Sequence, residues 1–237
     1  MPVLAALCAS TLALAACDRG ADDAFGEKVR AYLLENPEVI EEAVQKLGEK
    51  REIEAAQAAT SAIETHRAAL EQDPRDFVAN PKGTITVTEF FDYRCGYCKI
   101  AATEMASIIE ENPDVRVVFK EFPIFGEQSD ETAAIMLTDL AKPKTLELHE
   151  RLMGEKSLDD AALDRHLRAV GIDPAAARKA AQAPAIQQQL VDTHELAASL
   201  GINGTPAFVI GNRLISGADM EAVKAAITAA QAEKIAG

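Results

Sequence analysis

Two cysteines at close spacing, Cys95-Gly96-Tyr97-Cys98, are the residues of this chain best suited to chemistry. A thiol pair spaced this way can exchange with disulfides, close into a disulfide of its own, or offer two soft ligands to a metal. The flanking sequence discriminates among these. Thr84 to Phe91 alternates with period two, as a strand does. Lys99 to Glu111 is rich in Ala, Ile, Met and Glu and free of Gly and Pro, as a helix is. Cys95 therefore falls at a strand-to-helix turn and Cys98 in the first helical turn. A helix N-terminus offers unsatisfied N–H groups and the positive end of the helix dipole, and both favour a thiolate. Cys95 is the better placed, so its pKa is expected below the free value of about 8.5. This makes Cys95 the nucleophile of thiol–disulfide exchange and Cys98 the resolving thiol.

Other readings of the pair stay open at this point. A zinc site would need a second ligand pair, yet no other Cys lies in the region read as folded, and His66, His149, His166 and His194 show no paired spacing. The three histidines after Cys98 are read as structural or solvated. The remaining alternatives are an inert structural disulfide, copper handling through two soft sulfurs, and a holdase in which the motif is incidental. The expectation is no metal, and no cofactor beyond the Cys95–Cys98 disulfide.

Lys plus Arg number 24 against 38 Asp plus Glu, a net charge of −14, which argues against nucleic acid as a partner. Met1 to Ala16 carries no charged side chain and reads as the apolar core of an export signal, too short to span a bilayer. Leu14-Ala15-Ala16-Cys17 has the form of a lipoprotein box, which would make Cys17 a lipidated N-terminus; plain cleavage near Ala15 or Ala16 is the alternative. Either way only Cys95 and Cys98 remain as thiols, which suits a redox protein of an oxidising compartment such as the periplasm.

The expected organisation is a signal over 1–16, a helical extension over 17–75, and an α/β domain over 76–237 with a helical insertion at about 127–200. In the extension, a helix over Phe25–Leu34 is followed, after Asn36-Pro37, by a long helix reaching about Leu70. Its residues Ile53 to Leu70 approximate a heptad seam, although Arg67 falls on it. Self-association through this extension and packing on its own domain are both open. Asp76 to Val78 reads as an edge strand and Val115 to Phe122 as a second central strand. Glu89 shares the apolar face of its strand with Ile85, Val87 and Phe91. A carboxylate there is costly unless protonated or paired. It is either an edge residue reaching water or a buried acid that takes and returns the proton of Cys98, with Lys120 a candidate partner. After a run of helices, Ala207–Ile210, Gly211-Asn212 and Arg213–Ile215 read as a hairpin, and Asp219 to Ala236 as a closing helix.

This order, with Glu89 to Lys99, Glu121-Phe122-Pro123-Ile124 and Gly204-Thr205-Pro206-Ala207-Phe208 as its markers, resembles the DsbA family of the thioredoxin superfamily. The resemblance implies a thioredoxin-like fold with an inserted helical domain. It assigns Cys95 as nucleophile, Cys98 as resolving thiol, Pro206 as a cis-proline that binds substrate with Thr205, Gly96 and Tyr97, and Glu89 as the buried acid. The Gly96-Tyr97 dipeptide with Thr205 before the proline resembles disulfide isomerases of the DsbC type more than the strongest oxidases. Tyr32 to Val39 is similar to the extension of ScsC-type proteins, which implies a homo-oligomer, often a trimer. The implied partners are proteins carrying cysteines or disulfides and a membrane redox partner, either a reductase of the ScsB/DsbD kind or an oxidase of the DsbB kind.

Overall fold

A computed structural model describes residues 19–236, with side chains over 24–234. The export-signal reading of 1–16 and Cys17 lie outside the described residues. Two helices open the described chain, α1 (Arg19–Glu35) and α2 (Glu38–Glu71), and Asn36 and Pro37 separate them. The chain divides into two compact units after Glu54. Helix α2 crosses this division, so that its C-terminal half, which the sequence reading places in the extension ending near residue 75, belongs to the larger unit. Ile63 and Leu70 of that half are fully buried in a cluster with Phe90, Phe122 and Leu200. Arg67, the polar residue on the approximate heptad seam, has a local role, since it bonds Glu71, the Gly211 carbonyl and the Asn212 side chain. The N-terminal unit carries a row of exposed apolar side chains: Phe25, Tyr32, Leu34, Ile40, Val44, Leu47 and Ile53.

The larger unit is built on a five-stranded sheet in the order β1-β3-β2-β4-β5, formed by β1 (Phe77–Ala79), β2 (Ile85–Phe91), β3 (Val115–Glu121), β4 (Ala207–Ile210) and β5 (Arg213–Ser216). Only β2 and β3 are parallel. Between them runs α3 (Gly96–Glu111), the crossover that a parallel pair requires. β4 and β5 form the expected hairpin, with Gly211 at φ 58° in its turn, a conformation glycine adopts at no steric cost. The closing helix is α9 (Met220–Ala236). Between β3 and β4 lie α4 (Glu127–Met136), a 3-10 turn (Lys142–Lys144), α5 (Thr145–Met153), α6 (Asp160–Ala169), α7 (Pro174–Ala181) and α8 (Pro184–Ser199). Asp159 and Asp173 cap α6 and α7 by accepting from Ala162 N and Ala176 N. This is the thioredoxin-like α/β fold with a helical insertion and an N-terminal helical region. Among the described residues no helix is long and apolar enough to cross a membrane.

Lys120 is buried but is not the partner of Glu89. Side chains alternate across a strand, so Lys120 points to the face opposite Glu121 and its register neighbours. There its Nζ donates to the Asp76 carboxylate and the Ala69 carbonyl. Both side chains of this ion pair are 2% exposed. It ties β3 to the end of α2 and to the segment leading into β1. Removing one partner leaves the other charged and buried, a far larger loss than the pair itself contributes. Lys120→Ala should therefore lower the unfolding free energy by about 3 kcal/mol, read as a drop in the urea midpoint at unchanged slope.

Candidate active site

β2 is the central strand, and the chain leaves it through Asp92-Tyr93-Arg94 into α3. The turn is held by one buried carboxylate. Asp92 Oδ1 accepts from Arg94 N at 2.7 Å and Ser129 Oγ at 2.9 Å, while Oδ2 accepts from Ile124 N at 2.8 Å and Phe125 N at 3.2 Å. One side chain thus fixes both the entry to the catalytic helix and the loop after β3. Arg94 adds a bond from Nη1 to the Phe125 carbonyl at 3.0 Å. The sequence reading missed this role of Asp92. An Asp two residues before a turn N–H is the Asx-turn signal that could have found it.

Cys95 is the N-cap of α3, at φ −73° and ψ 118°. A cap side chain normally offers an oxygen to a free helical N–H. Here the acceptor is sulfur: Cys98 N donates to Cys95 Sγ at 3.4 Å. On the other side, Sγ lies 3.2 Å from the Thr205 carbonyl, to which the thiol form donates. The Thr205–Pro206 bond is cis. Thr205 and Pro206, remote in sequence, are thereby brought to the sulfur. The Cys95 pKa is lowered to about 5, first by the hydrogen bond with the Cys98 side chain and then by Thr205 and the N–H groups of Cys98 and Tyr97, all against desolvation. The same coupling, joined by burial, pushes the Cys98 thiol well up. The pair is thus split into a thiolate-forming sulfur and a fully buried one that keeps its proton.

Gly96 and Tyr97 are exposed, Tyr97 at 68%, as is Ile100 at 63% on the next turn of α3. Ile124 and Phe125, on the loop that Asp92 holds, are exposed as well. Glu89 is fully buried on β2, which excludes the edge reading. Neither of its oxygens has a hydrogen-bond partner, and burial raises its pKa to about 8. Its register neighbour on β3 is Phe119, not a cation. Among the described residues no group of three or more His, Cys, Asp or Glu side chains is arranged to hold a metal ion.

The family model of the DSBA-like thioredoxin domain matches residues 86–152 and 132–228, more than half of the chain. The chain belongs to the DSBA-like thioredoxin family. A second model, described as the copper resistance protein ScsC N-terminal domain, matches residues 23–56. Among solved structures, a thioredoxin-like oxidoreductase from Silicibacter pomeroyi is 35% identical, covering 70% of this chain and 97% of its own, with a TM-score of 0.66. A linker-deletion mutant of ScsC from Proteus mirabilis is 28% identical over 93% of this chain and 100% of its own, with a TM-score of 0.68. BcfH from Salmonella enterica Typhimurium reaches a TM-score of 0.73 at 27% identity, over 89% of this chain and 96% of its own. No curated protein matches. The chain is thus a DsbA-family protein of ScsC type, with the fold of a thiol–disulfide oxidoreductase.

Glu89 gives this DsbA-family site a measurable pH signature. Its folded pKa of about 8 lies above the ordinary 4.5, so the folded state holds a proton that the unfolded chain has lost. Stability should fall as pH rises from about 4.5 to about 8, by an upper limit of about 5 kcal/mol. Glu89→Gln should remove the Glu89 share of that slope and leave the share of Glu121, whose carboxyl burial also raises, measured by denaturant unfolding of the reduced protein across the window.

Proposed function

We propose that this protein is an exported disulfide isomerase and reductase that acts on misoxidised proteins at Cys95. The observation that carries the reading is the division of labour between the cysteines, one capping a helix as a thiolate and the other buried as a thiol. In exchange, the Cys95 thiolate attacks one sulfur of a substrate disulfide. A Cys95–substrate bond forms, the substrate S–S bond breaks, and a substrate thiolate leaves. If that thiolate, or another of the substrate, attacks the mixed disulfide, Cys95 is released unchanged and the substrate is isomerised. If Cys98 gives up its proton and attacks Cys95 Sγ, the substrate is reduced and the Cys95–Cys98 disulfide forms. The reductase arm then requires a dithiol donor, for which we propose a membrane reductase of the ScsB/DsbD kind. No metal or other cofactor enters any step.

Substrate contact is assigned to Gly96, Tyr97, Thr205 and Pro206, with the apolar Ile100, Ile124 and Phe125 around them. Exposed apolar surface beside a reactive sulfur favours chains that have not yet buried their own. The N-terminal unit supports a homo-oligomer, since its apolar row lies in the segment matched by the ScsC N-terminal model. The proposed compartment is the periplasm, with Cys17 as the proposed lipid anchor; one solved relative is a periplasmic thioredoxin-like protein from Salmonella enterica serovar Typhimurium, 30% identical.

The test is recovery of activity from scrambled ribonuclease by the reduced protein. Strong recovery that vanishes in Cys95→Ser is expected. Val44→Glu combined with Leu47→Glu should convert the oligomer to monomer by light scattering and reduce recovery several-fold. Efficient oxidation of a reduced substrate with no recovery of the scrambled one would instead make the protein a dithiol oxidase.

A further inference from the structure

Breaking or making the Cys95–Cys98 bond requires one proton to reach or leave Cys98, whose side chain has no exposed surface. Cys95 needs none, because it works as a thiolate. The core that encloses Cys98 also contains Tyr93, Phe91 and Phe119. Glu89 and Glu121 face the same side of the sheet as diagonal neighbours: Glu89 pairs with Phe119 across β2 and β3, and Phe91 pairs with Glu121. Glu121 is joined to Tyr93, whose hydroxyl lies 3.2 Å from Glu121 Oε1 and 3.4 Å from His149 Nδ1. The His149 ring packs edge-on against Phe91, Phe119 and Tyr93. His149 also lines a groove of about 640 Å³ between α3 and α5, together with Lys99, Thr103, Leu146 and Met153.

We propose that Glu121, Tyr93 and His149 form a proton path between this groove and the buried carboxyls that serve Cys98. The inference rests on the thiol–disulfide exchange proposed above. A hydroxyl has one proton and sits here between two partners, so the chain has two polarities. In one, the Glu121 carboxyl donates to Tyr93 Oη, and Tyr93 donates to His149 Nδ1. In the other, His149 Nδ1–H donates to Tyr93, and Tyr93 donates to the Glu121 carboxylate. Passing from the first to the second moves one proton from Glu121 to His149, which returns to neutrality by losing the proton on Nε2 to water in the groove. The reverse sequence reloads Glu121. The second oxygen of Glu121 and both oxygens of Glu89 have no other partner.

Burial sets the resting state. It pushes the Glu121 carboxyl well above its ordinary range, opposed by the Tyr93 bond and helped by Asp92, Asp76 and Glu89. It also lowers His149 to about 4. Both ends are then neutral at neutral pH, so the path stands loaded with one proton. The titratable and charged groups facing it are Glu89 from β2, Asp92 after β2, and Lys99, Glu110 and Glu150 around the groove, while Asp76, paired with Lys120 on the other face, acts on Glu121 through its charge alone.

The test uses the full chain with two rates resolved by rapid mixing. Attack of Cys95 on a disulfide peptide is followed in a Cys98→Ser background, and closure of the Cys95–Cys98 bond in its absence, each across pH and in heavy water. Tyr93→Phe removes only the hydroxyl. Closure is expected to slow by about tenfold or more and to change its pH profile and isotope effect, with attack unchanged. His149→Ala should slow closure likewise and recover with imidazole, which the groove admits; Glu121→Gln provides the same decision should Tyr93→Phe fail to fold. Closure that keeps its wild-type rate and pH profile, or that slows by the same factor as attack with no imidazole rescue, overturns the path. A wild-type protein that does not react with disulfides at all would overturn the exchange reading instead.

Discussion

The hydrogen bond from Cys98 N–H to Cys95 Sγ, at the first turn of α3, is the contact on which the rest of the site depends. It puts a sulfur where a helix ordinarily places a cap oxygen, so the free N–H groups and dipole of a sixteen-residue helix act on one atom. Both cysteines are buried, Cys95 keeping 3% exposure and Cys98 none, so Cys95 is the one of the pair with surface left for a substrate. The asymmetry of the pair follows first from the hydrogen bond between the two cysteine side chains and from the burial that raises Cys98, with the N–H groups of the helix N-terminus adding to it on Cys95. Asp92 supports the arrangement from below by accepting four bonds that lock the helix entry to the loop carrying Ile124 and Phe125.

Local pattern made much of this legible in the sequence. The period-two run into Cys95, the helical run after it and the hairpin around Gly211-Asn212 each report a backbone state fixed by near neighbours. Thr205 and Pro206 reached the site only through resemblance to the family, because no local rule brings a residue 110 positions away to a sulfur. Glu89 was legible as a carboxylate on an apolar face. The choice of Lys120 as its partner failed because adjacent strand residues point to opposite faces, and Lys120 serves Asp76 on the far one.

Tyr93, Glu121 and His149 illustrate the same limit. Each is unremarkable in sequence, and His149 reads as a helix histidine. Their association depends on β3 lying parallel to β2 in one register and on α5 returning from the insertion to cover the pair. Long α2 is a further case. Its apolar spacing suits self-association and local packing equally, and the structure divides the helix at Glu54, with the later half packed into the catalytic unit and the earlier half carrying exposed apolar residues.

The account stands most directly on the ionisation of Cys95. The decisive measurement is the thiolate absorbance of the reduced protein as a function of pH, compared with Cys95→Ser and Cys98→Ser. A single thiolate forming near pH 5, absent in Cys95→Ser, with Cys98 still protonated well into alkaline solution, is the result the structure predicts. Two thiols ionising together near the ordinary value of about 8.5 would show that the helix N-terminus does not activate Cys95, and would contradict the account at its centre.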